Sequence, residues 1–336
     1  MKKIPSPLVS LIPLIVLVAL LFATIRTFGS DALSGGSQVS LLTTTAVCVL
    51  IGMGFYKIGW KDFELAITNN ITGVSSALII LLIIGALSGA WMISGVVPTL
   101  IYYGIQIIHP SFFLTSTCII CALVSVMTGS SWTTIATIGI ALMGIGKAQG
   151  FEEGWIAGAI ISGAYFGDKI SPLSDTTILA ASVTDTPLFK HIRYMLITTV
   201  PSLIITLIIF TVAGLSHNAG NTEHIAEFSA ALAGKFHITL WLLIVPIGTG
   251  ILIARRVPSI ITLFLSAALA GVFAVFFQPD LLQEISGAQN SEGIQSIFKG
   301  LMMTLYGGTS LQTSNEALTE LVATRGMAGM MNTVWL

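Results

Sequence analysis

The chain has 336 residues, of which 54% are hydrophobic and only 9% are charged. This composition is far more apolar than that of a soluble domain, so it predicts a membrane protein, and the length leaves room for roughly ten spans. The 14 basic and 15 acidic residues nearly cancel, which excludes a strongly basic nucleic-acid-binding protein and a polybasic membrane-surface anchor. The three cysteines lie inside apolar runs without a second pair or histidine cluster that could complete a zinc site.

The first apolar runs predict ordinary spanning helices. The run from Leu8 to Phe28 is long enough to span and has no small-residue cleavage site before Arg26, so we expect a retained first helix and not a secretory signal. A second helix is expected from Val39 to about Ile58, and a span from Gly73 to Gly95. Between them we expect a short charged connection that contains Lys57, Lys61, Asp62 and Glu64.

Two apolar segments in the middle of the chain, Ser111 to Met127 and Trp132 to Gly146, are each short for a span. The sequence T-G-S-S-W-T-T at Thr128 to Thr134 separates them and offers hydroxyls without a charge. This pattern favours a re-entrant hairpin with a buried tip, where protein or water satisfies the freed backbone. The alternative is two ordinary helices joined by a surface loop. The candidate tip ligands are Ser130, Ser131, Thr133 and Thr134.

The segment from Gly154 to Thr177 opens as a helix of small residues and then breaks. Small residues recur at every fourth position on two faces, so both could admit close packing of neighbouring helices. The two sets are Gly154, Gly158 and Ser162, and Ala159, Gly163 and Gly167. Because Pro172 lacks an amide proton and biases Ser171 away from the α region, we expect the helix to stop near Asp168 to Ser171 and to restart after Ser174.

Polar side chains crowd this break, and in so apolar a chain such a cluster indicates a pathway or binding site for an ion or polar solute. Sodium prefers hard oxygen ligands, which a broken helix supplies as carbonyl ends, hydroxyls and a carboxylate. Because an apolar site disfavours the ionised carboxylate, a proton and a cation can compete for it. Asp175 is the first choice for that carboxylate, with Thr176 as a second sodium ligand, and Asp168 is the second choice. The other candidates are Ser171, Ser174 and Thr177.

Lys169 admits two interpretations. It could be a counter-charge that keeps one aspartate ionised, or it could extend to the membrane interface as an anchor. Asp168 also admits a structural interpretation, in which it caps a helix end or pairs with Lys169.

Further spans are expected over residues 193–215, 238–254 and 257–277. Basic residues are concentrated at the ends that this topology assigns to the cytoplasm, which predicts a multi-pass protein of the cell (inner or plasma) membrane with a cytoplasmic N-terminus. The helix pairs over 8–58 and 238–277 then have opposite orientations, as in an inverted-repeat transporter. Since the second repeat stops before a hairpin of its own, we expect the chain to be a fragment or an incomplete gene product.

Three stretches carry a resemblance to a known family. They are S-G-V-V-P-T-L-I-Y-Y-G at Ser94 to Gly104, the sequence at Thr128 to Thr134, and S-G-A-Y-F-G-D-K-I-S-P-L-S-D-T-T at Ser162 to Thr177. The chain resembles the NhaC family of bacterial sodium/proton antiporters, which also contains malate/lactate-type exchangers. The resemblance implies an all-α polytopic fold with a scaffold domain and a transport domain built from inverted repeats, each with a re-entrant hairpin and a discontinuous helix.

Applied to this chain, the resemblance divides it into four parts. Residues 1–72 hold the first scaffold helix pair. Residues 73–190 hold the first transport repeat, with its hairpin at 111–146 and its broken helix at 154–187. Residues 191–236 form a connecting span and loop, and residues 237–336 hold the second scaffold pair and the start of an incomplete second repeat.

The expected function is a secondary active transporter, a sodium/proton antiporter, with an organic-acid exchanger of the same family coupled to proton or sodium as the alternative. An intramembrane aspartyl protease needs two aspartates that face each other from separate helices, whereas Asp168 and Asp175 share one interrupted segment, so an enzyme is not expected. A channel would not need a titratable carboxylate at a helix break. The expected partners are small ions or a small carboxylate solute, membrane lipid and, as an open alternative, a second copy in a homodimer. No cofactor is expected, because sodium and protons are cargo.

Overall fold

The computed structural model describes residues 6–172, 174–216, 222–255, 257–287, 293–324 and 326–335. Within these residues the fold is all-helical, apart from an isolated antiparallel β-bridge between Thr309 and Thr324. The π-helical turn Ile135–Gly139 joins α6 to α7. The α-helices are α1 Pro7–Phe28, α2 Gly36–Tyr56, α3 Trp60–Ile93, α4 Val96–Ile107, α5 Phe113–Thr128, α6 Ser131–Thr134, α7 Ile140–Ala148, α8 Glu153–Ile170, α9 Asp175–Val183, α10 Leu188–Ser216, α11 Thr222–Lys235, α12 Ile244–Ala254, α13 Ser259–Phe277, α14 Pro279–Ser286, α15 Ile294–Tyr306, α16 Glu316–Val322 and α17 Gly326–Trp335.

The lengths and apolar composition of the helices confirm a polytopic membrane protein. Six helices in the described residues could cross a membrane: α1, α2, α3, the segment Pro110–Thr128 that ends with α5, α10 and α13. A further pair, Ala226–Lys235 and Leu240–Ala254, is bent by 90° and makes a seventh if it is counted as one span. No β-sheet occurs in the described part of the chain, where the all-α prediction is therefore confirmed.

Helix α3 is longer than the sequence pattern indicates. It begins at Trp60, so Lys61, Asp62 and Glu64 lie within the helix, and the prediction that they form a connection is wrong. Helix propensity explains the difference, because charged residues that end an apolar pattern do not end a helix. With 34 residues, α3 is roughly 51 Å long, which exceeds the roughly 30 Å of hydrocarbon. The connection from α2 is reduced to residues 57–59, with Lys57 in the left-handed region at φ 52°.

The chain folds as two compact units, one formed by the chain up to Leu82 together with the segment from Ala328 onward, and the other running from Ile83 to Met327. In the first unit α1 and α2 are antiparallel, because Ser6 and Tyr56 are hydrogen-bonded at one end and Thr24 and Ser40 at the other. The second unit contains the predicted tip and the predicted break.

A hydrogen-bond chain connects α3, α13 and α12 in the core of the second unit. Trp91 Nε1 donates to Ser266 Oγ at 3.0 Å, and Ser266 Oγ lies 2.6 Å from Thr249 Oγ1. Because the Thr249 hydroxyl donates its only proton to the Val245 carbonyl, Ser266 must be the donor to Thr249. All three side chains are buried away from water, so each polar group obtains its hydrogen-bond partner from the next residue of the chain of bonds.

Helices α5 and α8 run parallel and very close together. A Cβ at Gly163 would overlap the Cys118 carbonyl, and one at Gly167 would lie 2.5 Å from Ser125 Cβ. Later residues of α8 therefore contact later residues of α5, which makes the two helices parallel. The small-residue prediction is thereby confirmed for this face. It is wrong for the other face, where an added Cβ at Gly154 would meet no described atom within 4 Å and one at Gly158 would only touch the Phe210 ring, at 3.9 Å.

Candidate functional site

The chain reverses between α5 and α6. Helix α5 ends at Thr128, and its C-cap Gly129 has a φ of 67°, which favours glycine. Ser130 then caps α6 by accepting a hydrogen bond of 3.2 Å from the Thr133 amide. Helix α7 returns along α5, since a Cβ at Gly146 would approach the ring of Phe113, at the beginning of α5, to 2.7 Å. The reversal is thus a helical hairpin with its tip at residues 128–134.

Hydrogen bonds within the tip satisfy most of its hydroxyls. The Ser130 carbonyl accepts from Thr134 Oγ1 at 3.0 Å and from Thr128 Oγ1 at 3.1 Å. Thr133 Oγ1 donates to Ser130 Oγ at 3.2 Å. Ser131, Thr133 and Thr134 are buried, as the sequence predicted for this tip, whereas Trp132 between them is 52% exposed.

The second break lies where the sequence predicted it. Helix α8 ends at Ile170 and α9 begins at Asp175, with Pro172 between them. Ser174 is the N-cap of α9, because its hydroxyl accepts from the Thr177 amide at 3.4 Å and its carbonyl accepts from the Ile178 amide at 2.9 Å. Ser171, Ser174 and Thr177 are buried, and Thr176 is exposed.

Asp168, in the last turn of α8, connects the two breaks. Ser131 Oγ donates to Asp168 Oδ2 at 2.8 Å, and Ser174 Oγ donates to Asp168 Oδ1 at 2.7 Å. Each carboxylate oxygen therefore accepts one hydroxyl proton, one from the hairpin tip and one from the cap of α9. Since the Ser174 proton is used in this bond, Thr176 must be the donor in its 2.8 Å contact with Ser174.

The C-terminal ends of α5 and α8 meet at the same place. Ser171 Oγ donates to the Val126 carbonyl at 2.8 Å, and Ser125 Oγ donates to the Ala164 carbonyl at 2.5 Å. Thr177 Oγ1 lies 3.2 Å from the Asp168 carbonyl and 3.1 Å from the Lys169 carbonyl. Side chains thus take the place of the missing helical amides at both ends, and two negative helix ends converge beside the Asp168 carboxylate.

Lys169 is exposed and forms no ion pair with any residue that the structure describes, so its predicted pairing with Asp168 is not present there. Asp175 is the first residue of α9, and its side chain lies outside the described residues. Among the described residues no group of three or more His, Cys, Asp or Glu could hold a metal ion. A cation at Asp168 would therefore draw most of its ligands from hydroxyl and carbonyl oxygens.

Two features of the site have no clear signal in the sequence. Ser125 joins α5 to α8, but one serine in a helix does not reveal which carbonyl it will contact. The π-helical turn directly after the tip is the second feature, and such turns are frequent at functional sites. Nothing in I-A-T-I-G distinguishes this turn from ordinary helix.

Comparison of the sequence with known proteins identifies its family. The family model described as "Na+/H+ antiporter family" matches residues 163–336, slightly more than half of the chain, and includes the break after Asp168. The chain belongs to the Na+/H+ antiporter family. As a member of a transporter family it is not an enzyme, and the resemblance to NhaC proteins is confirmed.

Relatives of this antiporter-family chain have been named for different cargo. It is 36% identical over 339 residues to the "Malate-2H(+)/Na(+)-lactate antiporter" of Bacillus subtilis, an alignment that covers 99% of the chain and 68% of the relative. It is 39% identical over 290 residues to the "Na(+)/H(+) antiporter NhaC" of Alkalihalophilus pseudofirmus, covering 85% of the chain and 59% of the relative. The chain thus spans about three fifths to two thirds of the length of these relatives. No solved structure is significantly similar to it.

Proposed function

We propose that this antiporter-family chain exchanges sodium for protons and that Asp168 is the carboxylate for which the two ions compete. One observation carries the proposal: both oxygens of this carboxylate accept hydroxyl protons, one from each of two breaks in the helical chain. Irregular backbone inside a membrane protein is tolerated mainly where it lines a site, and two such breaks converge on Asp168.

The exchange follows from the properties of hydroxyl groups. In the structure, the Ser131 and Ser174 hydroxyls both donate to the Asp168 carboxylate. When sodium arrives, the Ser131 hydroxyl rotates and presents a lone pair to the cation, while the carboxylate supplies the negative charge. Ser174 can do the same once Thr176 turns its proton away from the Ser174 oxygen. A proton on Asp168 removes that charge and excludes sodium. Binding of either ion therefore displaces the other, which is the minimal requirement for antiport.

The surroundings of Asp168 favour a cation over an anion. The C-terminal ends of α5 and α8 carry partial negative charge. Asp168 lies in the last turn of α8, and Ser171 joins this end to the Val126 carbonyl at the end of α5. We propose the remaining predicted residues as a supporting shell: Ser130, Thr133 and Thr134 shape the tip, and Ser171, Thr176 and Thr177 shape the break. Asp175 stays a candidate second carboxylate at the beginning of α9, with Thr176 beside it as a sodium ligand.

We also propose the finer architecture that the resemblance implies. The hairpin of residues 111–146 is re-entrant, and the segment over 154–187 is one discontinuous helix. Together they form the core of a transport repeat over 73–190. Residues 1–72 and 237–336 contribute scaffold helix pairs of opposite orientation, and residues 191–236 connect the parts. The proposal also includes a cytoplasmic N-terminus and a homodimer. The distribution of basic residues supports the orientation and does not bear on the homodimer.

A second candidate function is organic-acid exchange coupled to sodium or protons. This function is favoured by the Bacillus subtilis relative, which is named as a malate/lactate antiporter and is 36% identical to the chain. An organic anion would need a cationic group, and Lys169 is exposed and adjacent to Asp168. The same hydroxyls would then bind the carboxylate of the solute.

Transport by the purified full chain in proteoliposomes separates the two functions. A sodium gradient should drive proton movement without organic solute, and lithium should replace sodium in part. Malate or lactate should neither be required nor accumulate. Uptake of labelled malate or lactate that depends on sodium, with no proton movement in its absence, would favour the exchanger and contradict sodium/proton antiport.

A further inference from the structure

Helix α10 presents a continuous exposed stripe that begins with positive charge. Only 6% of its apolar span is buried within the protein. The stripe consists of Lys190, Arg193, Tyr194, Ile197, Ile204 and Ile208, all of which are exposed. At about 100° per residue these positions fall within roughly 60° of one line along the helix, so they share one face.

The second feature of this stripe is that its two cations are unpaired within the described part of the chain. Lys190 and Arg193 form no ion pair with any residue in the described ranges. Other lysines of the chain do pair, because Lys147 lies 2.5 Å from Glu153 and Lys235 lies 2.9 Å from Glu284. Two neighbouring cations on an exposed face, without an ion pair to any described residue, are suited to an anionic ligand.

The length of α10 puts these cations at the level of lipid headgroups. Its 29 residues span roughly 43 Å, whereas the hydrocarbon core of a bilayer is roughly 30 Å thick. The first turns of the helix therefore reach the polar layer, where tyrosine is enriched. Tyr194 is 62% exposed beside the cations, and Ile197 is 64% exposed one turn further into the membrane.

We propose that this face of α10 binds one anionic phospholipid in preference to a zwitterionic one. Lys190 and Arg193 contact the phosphate, and an acyl chain lies along Ile197, Ile204 and Ile208. The preference arises because a zwitterionic headgroup carries its own ammonium, which competes with the protein cations for the phosphate. A second copy of the chain fits this face less well, since a parallel two-fold contact would bring the same cations of both copies together.

Native mass spectrometry of the full chain in detergent tests the proposal, with phosphatidylglycerol or phosphatidylcholine added. The wild type should retain one phosphatidylglycerol that phosphatidylcholine does not displace. The double variant Lys190→Gln/Arg193→Gln should lose about 30-fold in phosphatidylglycerol affinity, roughly fivefold for each cation. Arg193→Lys keeps the charge and should stay within about threefold of the wild type.

A matched control removes two exposed cations from another site. Lys57→Gln/Lys61→Gln makes the same change in net charge and should leave the retained phosphatidylglycerol in place.

Ile204→Ala/Ile208→Ala should weaken binding of the whole lipid but leave the weaker binding of glycerol 1-phosphate unchanged. Equal losses in both charge variants, or none in either, would overturn the proposal. A dimer that the α10 variants abolish, without a retained lipid, would assign the face to a second copy. The proposal does not depend on the transported ion.

Discussion

The Ser131 hydroxyl donates a hydrogen bond of 2.8 Å to Asp168, which lies 37 residues further along the chain. This bond joins the tip of a helical hairpin to the carboxylate beside a helix break. A hydroxyl can donate to an ionised carboxylate or accept from a protonated one, so the bond changes character when Asp168 gains or loses a proton. A change in the protonation of Asp168 therefore changes a hydrogen bond made by the hairpin tip.

Ser131→Ala should weaken sodium binding more than it weakens the fold. The change removes a donor to a charged acceptor and one proposed sodium ligand, so the sodium concentration for half-maximal proton movement should rise about tenfold or more. Proton movement in everted vesicles at graded sodium concentrations measures this shift. Ser116→Ala is the matched control, because the Ser116 hydroxyl donates only to carbonyls of its own helical turn, at 2.8 and 3.0 Å. An unchanged sodium dependence in Ser131→Ala would remove the tip from the site.

Ser174→Ala should affect both the site and the local fold. It removes the second donor to Asp168 and also the N-cap of α9, whose loss costs about 1 kcal/mol. Ser174→Thr keeps the hydroxyl and should restore most of the sodium affinity and stability. Thermal unfolding with and without sodium separates the two effects. If alanine lowers stability equally in both conditions, Ser174 acts only as a cap.

Close packing of α5 against α8 predicts a contrast between two glycines of one helix. Gly163→Ala should strongly destabilise the protein, because its Cβ would overlap the Cys118 carbonyl, which is backbone and cannot move aside. Gly158→Ala should be neutral or stabilising by up to about 1 kcal/mol, since only Phe210 lies near it, at 3.9 Å, and alanine favours helix. Melting temperatures in one detergent compare them, and equal shifts would argue against the close contact.

The buried chain from Trp91 to Val245 predicts a stabilising role for Ser266. Ser266→Ala leaves the Trp91 indole N–H without an acceptor, which should lower the free energy of unfolding by about 1 to 2 kcal/mol. Ser202→Ala removes only an exposed bond to the Thr198 carbonyl of the same helix and should change it by less than about 0.5 kcal/mol. Reversible unfolding in mixed micelles provides the measurement, and similar values for the two variants would contradict this role.

Local chemistry explains what the sequence could predict. Pro172 lacks an amide proton, and the helix does break there. The charge-free polar stretch around Ser130 and Ser131 does form a tip. Apolar runs of sufficient length became helices, because a chain in lipid has to satisfy its backbone internally. Helix starts were less predictable, as Trp60 shows, since hydropathy reports where a helix meets lipid and not where it begins.

Contacts between distant segments could not be read from the sequence. In the sequence, Asp175 lies between Ser174 and Thr176, whereas Asp168 lies between Gly167 and Lys169, so the flanking hydroxyls favoured Asp175. The fold brings Ser131 to Asp168, and that contact depends on how α5 packs on α8. Asp175 also has a structural explanation, since an acidic residue in the first turn of a helix is stabilised by the helix dipole.

The central claim is that sodium and protons compete at Asp168, and proton release on sodium binding tests it most directly. Sodium should be added to purified protein in weakly buffered detergent solution at a series of pH values. Protons should be released at each pH at which the chain exchanges the two ions, and the apparent sodium affinity should fall as the pH falls. Asp168→Asn keeps the size but removes the titratable charge, so it should release none, whereas Asp175→Asn should retain most of the release. Wild-type release from Asp168→Asn, together with none from Asp175→Asn, would contradict the account and transfer the role to Asp175.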